Sequence, residues 1–184
     1  MIDLLSVDFS NYVKVEKLSE RNVPDSFSAS IKEYSEYLLN SALKSQEAMI
    51  TNTYLLRDNK TGKVMAFVSL VCDSVSFTLD EKSDSSLENF PFSNFPALKV
   101  AQLAVSTEFK NEYKNIGSFM LNFAKIQAFM LNDFTACRFL TVDADVENNP
   151  TVTEFYKKNG FQKLSDKKYT KKTKICCMYK DILS

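Results

Sequence analysis

The chain has 184 residues, of which 45% are hydrophobic and 25% are charged, a balance typical of one globular domain. Its 23 basic and 23 acidic side chains cancel, so general electrostatic attraction to nucleic acid or to an anionic membrane is not expected. Because the chain has no histidine, Ser-His-Asp triads, Cys-His dyads and zinc sites that need imidazole are excluded, and no metal site is expected.

The cysteine spacing bears on the redox state. Cys72, Cys137, Cys176 and Cys177 form no C-x-x-C pair, so reduced and mostly buried thiols are expected rather than a disulfide framework or a metal ribbon.

The first residues lack the pattern of a signal peptide, and the most apolar window, Val64–Cys72, is far below the ~20 residues of a membrane span. We therefore expect a cytoplasmic protein with no membrane contact.

Hydrophobic periodicity and turn residues predict the elements of the first half of the chain. They are a strand at Tyr12–Leu18, one or two helices within Ala29–Met49, a hairpin of Thr53–Arg57 and Lys63–Cys72 around the turn Asp58–Gly62, and a loop at 80–96. This loop is acidic and contains serines and prolines, and it has room for a short helix.

The second half alternates strands with helices. The predicted elements are a strand at Leu98–Val105, a helix at Ile116–Leu131, a strand at Phe139–Val142, a helix at Thr151–Lys158 that ends at Asn159-Gly160, and a strand at Lys174–Tyr179. A strand–helix–strand order favours a parallel crossover. The sequence therefore predicts a single α/β domain over residues 1–184: a mixed, mostly antiparallel sheet with a central parallel strand pair, flanked by helices.

Four stretches of the chain together resemble two motifs of the GNAT superfamily of N-acetyltransferases. The acyl-CoA motif is matched by Gln102–Val105, by Asn115-Ile-Gly-Ser118 and by Cys137–Ala144. The following motif, Asn-x-x-Ala-x-x-Phe-Tyr with a Gly-Phe four residues later, is matched by the stretch from Asn149 to Phe161. The first half, with a helix ahead of a hairpin, is similar to the branch that contains tRNA-acetylating toxins, so the resemblance covers most of the chain.

The resemblance implies an acetyltransferase that uses acetyl-CoA as co-substrate. Tyr156 would be the catalytic general acid that protonates the departing CoA thiolate; an ordinary packing aromatic is the alternative. Asn149 would bind the pantetheine arm or cap the following helix. The residues expected to bind the cofactor are Leu103, Val105, Asn115, Ile116, Gly117, Ser118 and Asn149.

The phosphate-binding loop departs from the family pattern at two positions. Asn115 stands where the pattern has its first glycine, and Glu112 stands at the Arg/Gln position. Backbone N–H groups at a helix N-terminus do the binding, so they survive side-chain replacement, and Asn tolerates the left-handed region better than other non-glycine residues. A carboxylate at Glu112 would repel a pyrophosphate unless it points away. Phosphate binding is therefore expected, but weaker than in a standard member.

The general base and the acceptor are not defined by the sequence. Ala97–Val105 contains no acid, and Glu108, Asp145 and Glu147 lie near strand ends without a feature that separates them from loop acids. An α-amine, with a pKa of about 8, needs less help to lose its proton than a lysine amine near 10.4. This slightly favours an α-amine or another weakly basic amine, on a small molecule or a peptide, as the acceptor.

A basic stretch near the end raises two alternatives. Residues 157–180 hold nine lysines and a single acid, and the loop Lys167–Lys174 is either a solvated hairpin tip or a surface that follows tRNA phosphates. A toxin that acetylates aminoacyl-tRNA would need this loop. A non-catalytic acyl-CoA-binding or interaction module with a degraded phosphate loop is the other alternative. The sequence leaves the oligomeric state open, and a homodimer is one of the alternatives.

Overall fold

A computed structural model describes residues 1–165 and 174–184. Its strands are β1 (Ile2–Asp3), β2 (Val13–Lys17), β3 (Asn52–Asp58), β4 (Val64–Ser76), β5 (Asn94–Val105), β6 (Tyr113–Lys114), β7 (Phe139–Asp145), β8 (Gln162–Lys163) and β9 (Ile175–Asp181). Its α-helices are α1 (Lys32–Asn40), α2 (Ala42–Glu47), α3 (Leu79–Asp84), α4 (Ile116–Leu131) and α5 (Val152–Lys158).

The hydrogen-bonded strand order is β2-β3-β4-β5-β7-β9-β8, and β1 pairs separately with β6. Strands β2/β3, β3/β4, β7/β9 and β8/β9 are antiparallel. Strands β5 and β7 are parallel, with Ala97–Val100 in register with Phe139–Val142. The predicted fold class, a mixed and mostly antiparallel sheet with a central parallel pair and flanking helices, is confirmed.

The chain divides into two compact units, and β4, β5 and α4 have residues in both. Unit 1 is Met1–Val71 with Ala101–Ala124, and unit 2 is Cys72–Val100 with Lys125–Ser184.

Unit 1 is built around the β3–β4 hairpin and is covered on both faces. On one face, Phe67 lies in a cluster with Leu38 of α1 and Ala42 of α2, all of them at most 1% exposed. On the other face, the ring of Tyr54 contacts Phe123 of α4 at 4.9 Å. Neighbouring residues of a strand point to opposite faces, so the continuously buried run Val64–Leu70 of β4 fills both layers.

Unit 2 has an aromatic core beside the parallel strand pair. Phe77 contacts Phe95, Phe139 and Tyr179 at ring-centroid distances of 5.5, 4.9 and 4.8 Å. Phe77 directly follows β4, and the other three residues come from β5, β7 and β9, so the cluster stabilises the sheet where its parallel strands are in register.

The acidic stretch 80–96 contains the short helix that the sequence allowed. Helix α3 begins with a capping box, in which Thr78 Oγ1 accepts from the N–H of Glu81 and Glu81 Oε2 accepts from the N–H of Thr78. Glu81 Oε1 also accepts from the N–H of Ser165 at 2.7 Å. Burial opposes ionisation of Glu81, but these backbone hydrogen bonds outweigh it and lower its pKa.

The four cysteines all lie in the described part of the chain, where they form no disulfide, and of the four only Cys137 is buried. Burial raises the pKa of the Cys137 thiol. Cys176 and Cys177 are half-buried and Cys72 is exposed, so the expectation of mostly buried thiols is wrong. Within residues 1–165 and 174–184, no helix is long and apolar enough to cross a membrane.

Candidate functional site

The turn that enters α4 keeps a glycine-like backbone although it lacks the glycine. Asn115 has φ 59°, in the left-handed region that its replacement of glycine predicts. Its carbonyl accepts from the N–H of Phe119 at 2.8 Å, so Asn115 is the residue on which the helix starts. Ile116, Gly117 and Ser118 then form the first turn of α4. Their backbone N–H groups have no hydrogen-bond acceptor within the helix. With the dipole of a 16-residue helix behind them, they suit an anion.

Strand β1 supports this turn, and nothing in the sequence pattern pointed to it. It pairs in parallel with β6, with Ile2 opposite Tyr113 and Asp3 opposite Lys114. Asn115 Nδ2 donates to Asp3 Oδ1 at 2.8 Å, and the N–H of Leu5 donates to the same oxygen at 3.1 Å. The hydrogen bond from Asn115, followed by that from Leu5, lowers the pKa of Asp3.

A second contact fixes β6 from the hairpin turn. Tyr113 is 7% exposed, and its hydroxyl donates to Asp58 Oδ1 at 2.7 Å. Asp58 Oδ2 accepts from the N–H and the hydroxyl of Thr61 at 2.7 and 2.6 Å. Burial opposes ionisation of Asp58, but the hydrogen bonds from Thr61 and Tyr113 outweigh it and lower its pKa. Burial, followed by the Asp58 contact, raises the pKa of Tyr113.

We expect the Asp58 contact to make stability depend on acid pH. A folded-state pKa below the unfolded value of about 3.9 means that its stabilisation is present above about pH 4 and is lost as pH falls through the lowered pKa. Asp58→Asn should therefore cost about 1–3 kcal/mol at pH 7 and flatten the loss of stability between about pH 5 and 2.5. Urea unfolding of both proteins across that range measures this. Parallel curves would contradict the role given to the Asp58 charge.

Glu112 directly precedes β6 and faces solvent. The Glu112 side chain is exposed, while its carbonyl accepts from the N–H of Ile2 at 2.7 Å. The Lys114 side chain is also exposed, and Lys110 Nζ donates to Ser30 Oγ at 2.9 Å. Solvent reaches the carboxylate that the sequence marked as a possible source of repulsion, so water screens its charge.

The two strand residues expected beside the pantetheine lie at the end of β5. Leu103 and Val105 are half-buried, and Ala104 between them is 7% exposed in the unit 1 core. The register of β5 with β7 ends at Val100, although β5 continues to Val105.

Tyr156 lies on α5 and is 6% exposed. Its ring contacts Phe155 at 5.1 Å and Phe161 at 5.4 Å, so the aromatic side chain has a fixed packing environment. Gly160 ends the helix as predicted, with φ 82°, and a Cβ there would come within 3.2 Å of Lys180 Nζ.

Asn149 makes a local turn ahead of α5. Its Oδ1 accepts from the N–H of Thr151 at 3.3 Å and from the Thr151 hydroxyl at 3.0 Å, which is an Asx turn. The N-cap position is held by Thr151, so the expectation that Asn149 caps this helix is wrong. The side chain is exposed, and the turn sets the direction in which the chain enters α5.

The three acids considered as bases each have a partner. Glu108 forms an ion pair with Lys63 at 2.8 Å, and Glu147 forms one with Lys174 at 2.7 Å. Asp145 accepts from the backbone and side chain of Asn148 at 3.1 and 2.9 Å. The loop Lys167–Lys174 lies outside the described residues except for Lys174.

A charged cluster on one face of the parallel strand pair was not predicted either. Lys99 Nζ contacts Asp143 Oδ2 at 2.5 Å, and Cys177 Sγ donates to Asp143 Oδ1 at 2.7 Å. The Thr141 hydroxyl donates to Asp73 Oδ2 at 2.6 Å. Burial opposes the charge on Lys99, but the contact with Asp143 outweighs it and raises the pKa of Lys99. The signal in the sequence was the alternation of polar residues in β7, at positions 141 and 143.

No protein-family model and no curated protein matches the chain. Solved structures do match. A bacterial toxin shares 15% identity over 93% of this chain and 91% of its own, with a TM-score of 0.76. AtaT complexed with acetyl-methionyl-tRNAfMet shares 15% over 92% and 94%, with a TM-score of 0.73. AtaTR bound with AcCoA shares 15% over 94% and 95%, with a TM-score of 0.68. The chain therefore shares a GNAT-like fold with these structures.

Proposed function

We propose that this chain transfers an acetyl group from acetyl-CoA to a primary amine by direct attack. The observation that carries the proposal is the left-handed Asn115 ahead of α4, because it presents the backbone donors of an anion-binding turn without the usual glycine. The fold shared with AtaTR, which has been solved with AcCoA, supports the same cofactor.

The chain's own residues have complementary tasks in this proposal. The N–H groups of residues 116–118 bind the pyrophosphate, and the backbone of Leu103 and Val105 pairs with the amides of the pantetheine arm as an added strand would. The family resemblance assigns to Asn149 a hydrogen bond from its side-chain amide to the cofactor. Acetyl-CoA, when bound, supplies the thioester whose carbon the amine attacks.

Tyr156 is the proposed general acid. As the amine nitrogen bonds to the carbonyl carbon and the C–S bond breaks, the electron pair passes to sulfur. The Tyr156 hydroxyl donates its proton to that sulfur, and the phenolate then regains a proton from solvent. A phenol, with an ordinary pKa of about 10, is protonated at neutral pH, so its hydroxyl can donate a hydrogen bond that stabilises negative charge as it develops on sulfur. The proton lost by the amine goes to water, since Glu108, Asp145 and Glu147 are each engaged by a neighbour.

We further propose that the acceptor is the α-amine of an aminoacyl-tRNA. The shared fold of AtaT, solved with acetyl-methionyl-tRNAfMet, supports this acceptor, as does the lysine-rich stretch 157–180. An α-amine also suits a site that leaves deprotonation to water. A cytoplasmic location would place the protein with its substrate.

Thermal unfolding with and without acetyl-CoA tests the cofactor. A ligand at 100 times its Kd adds about 2.7 kcal/mol to the free energy of unfolding, which raises Tm by roughly 5–10 °C in a chain of this size. We expect this shift with acetyl-CoA and with CoA and none with ATP. No shift at millimolar acetyl-CoA would contradict the proposal and leave the chain as an interaction module.

A further inference from the structure

The left-handed turn at Asn115 has an unusual source of support. A non-glycine residue adopts positive φ at a cost in free energy, which the surrounding structure has to offset. Here Asn115 is exposed, so core packing around its side chain does not hold it. Its side-chain amide instead donates to Asp3 Oδ1 at 2.8 Å.

Asp3 is itself fixed on both sides. The N–H of Ile2 donates to the carbonyl of Glu112 at 2.7 Å, and the adjacent Leu4 is 2% exposed. The carboxylate also accepts from the N–H of Leu5, which keeps Oδ1 turned towards the backbone. Strand β1 is therefore a rigid support from which Asp3 reaches the first residue before α4.

We propose that Asp3 is a positioning residue of the cofactor turn: it holds Asn115 in the left-handed conformation and so takes over the task of the missing glycine. This inference rests on the proposed function for its binding readout. The turn orients the N–H groups of residues 116–118, so its disruption misaligns the donors that would meet the pyrophosphate. Two N–H donors occupy the carboxylate oxygen that faces the turn, which limits its repulsion of an anion.

A double-mutant cycle between Asp3 and Asn115 tests the inference. Asp3→Ala should raise the Kd for acetyl-CoA roughly tenfold. The variant loses about one charge-assisted hydrogen bond, and its free energy is then spent from binding to order the turn. Asn115→Gly should change Kd by less than about threefold, since glycine adopts this φ without support. Combining the two should give no further loss than Asn115→Gly alone, a non-additive result expected of residues in direct contact.

Two control variants separate the hydrogen bond of Asp3 from its negative charge and from the folding of the neighbouring segment. Asp3→Asn keeps an acceptor oxygen and should retain most of the affinity. Asp8→Ala removes the aspartate that caps the nearby 3₁₀ helix at Phe9–Asn11 and should leave Kd unchanged. Asp3→Ala should raise the KM for acetyl-CoA and leave kcat unchanged. A general loss of folded protein would instead lower the apparent kcat.

The outcomes distinguish the two proposals. Equal or tighter acetyl-CoA binding by Asp3→Ala, or a double variant as weak as Asp3→Ala, would overturn the positioning role. If the wild type binds no acetyl-CoA, the proposed function fails, and hydrogen exchange of the Phe119 amide decides the inference. That amide donates to the Asn115 carbonyl, so it should exchange faster in Asp3→Ala and recover in the double variant. Unchanged exchange would overturn the inference.

Discussion

Replacement of Tyr156 by phenylalanine is expected to lower kcat for acetyl transfer by about 100-fold or more, the usual contribution of a positioned general acid. The acetyl-CoA Kd should stay within about twofold, because phenylalanine preserves the ring and its contacts with Phe155 and Phe161. Initial rates of CoA release with an unfractionated pool of aminoacyl-tRNA, together with calorimetric titration of acetyl-CoA, measure both quantities.

A matched control separates the general acid from an ordinary buried phenol. Tyr179 is 4% exposed and its hydroxyl donates to Gln162 Oε1 at 3.2 Å. Tyr179→Phe removes a hydroxyl of similar burial in the same unit and should leave kcat within about twofold while lowering stability by about 1 kcal/mol. Full activity of Tyr156→Phe would show that Tyr156 only packs, and the catalytic assignment would fail.

Long, strongly patterned elements were predictable from the sequence. Helix Ile116–Leu131 has the predicted bounds, because its apolar residues recur at steps of three and four. Strands β4 and β5 are longer than predicted, extending to Ser76 and back to Asn94, since their extra residues border the acidic stretch and resemble loop composition. These residues form strand because they pair in the sheet, although their local sequence does not favour it.

The support of the turn at Asn115 was not predictable from the sequence in the same way. Strands β1 and β6 have two residues each, too few for a periodic pattern, and they pair across more than one hundred positions of sequence. The motif identified Asn115 and its backbone conformation, but its partner Asp3 follows only from the register of these strands. Likewise, β5 itself holds no acid, and it is the parallel register that brings Asp143 to Lys99 from the neighbouring strand.

Charge reversal in the predicted lysine-rich loop is expected to separate acceptor binding from cofactor binding. Changing Lys167, Lys168, Lys171 and Lys172 to Glu should raise the KM for aminoacyl-tRNA by roughly 100-fold or more. Each lysine that neutralises a tRNA phosphate releases counterions, and this contribution to affinity is lost in the variant. The dependence of log KM on log salt should flatten by about 0.7–0.9 for each such phosphate. The acetyl-CoA Kd should stay unchanged.

Two exposed lysines of unit 1 provide the control. Lys44→Glu with Lys60→Glu makes the same change in net charge as Lys171→Glu with Lys172→Glu, so the two double variants should differ only if the position of the charge matters. Equal KM values for aminoacyl-tRNA would mean that overall charge alone acts, and the tRNA acceptor would lose its support from this loop. A selective rise of KM in the Lys171 and Lys172 variant would instead place the tRNA backbone beside the loop. An acceptor bound there would need little specific recognition of its reacting end, because phosphate contacts supply affinity without reading sequence.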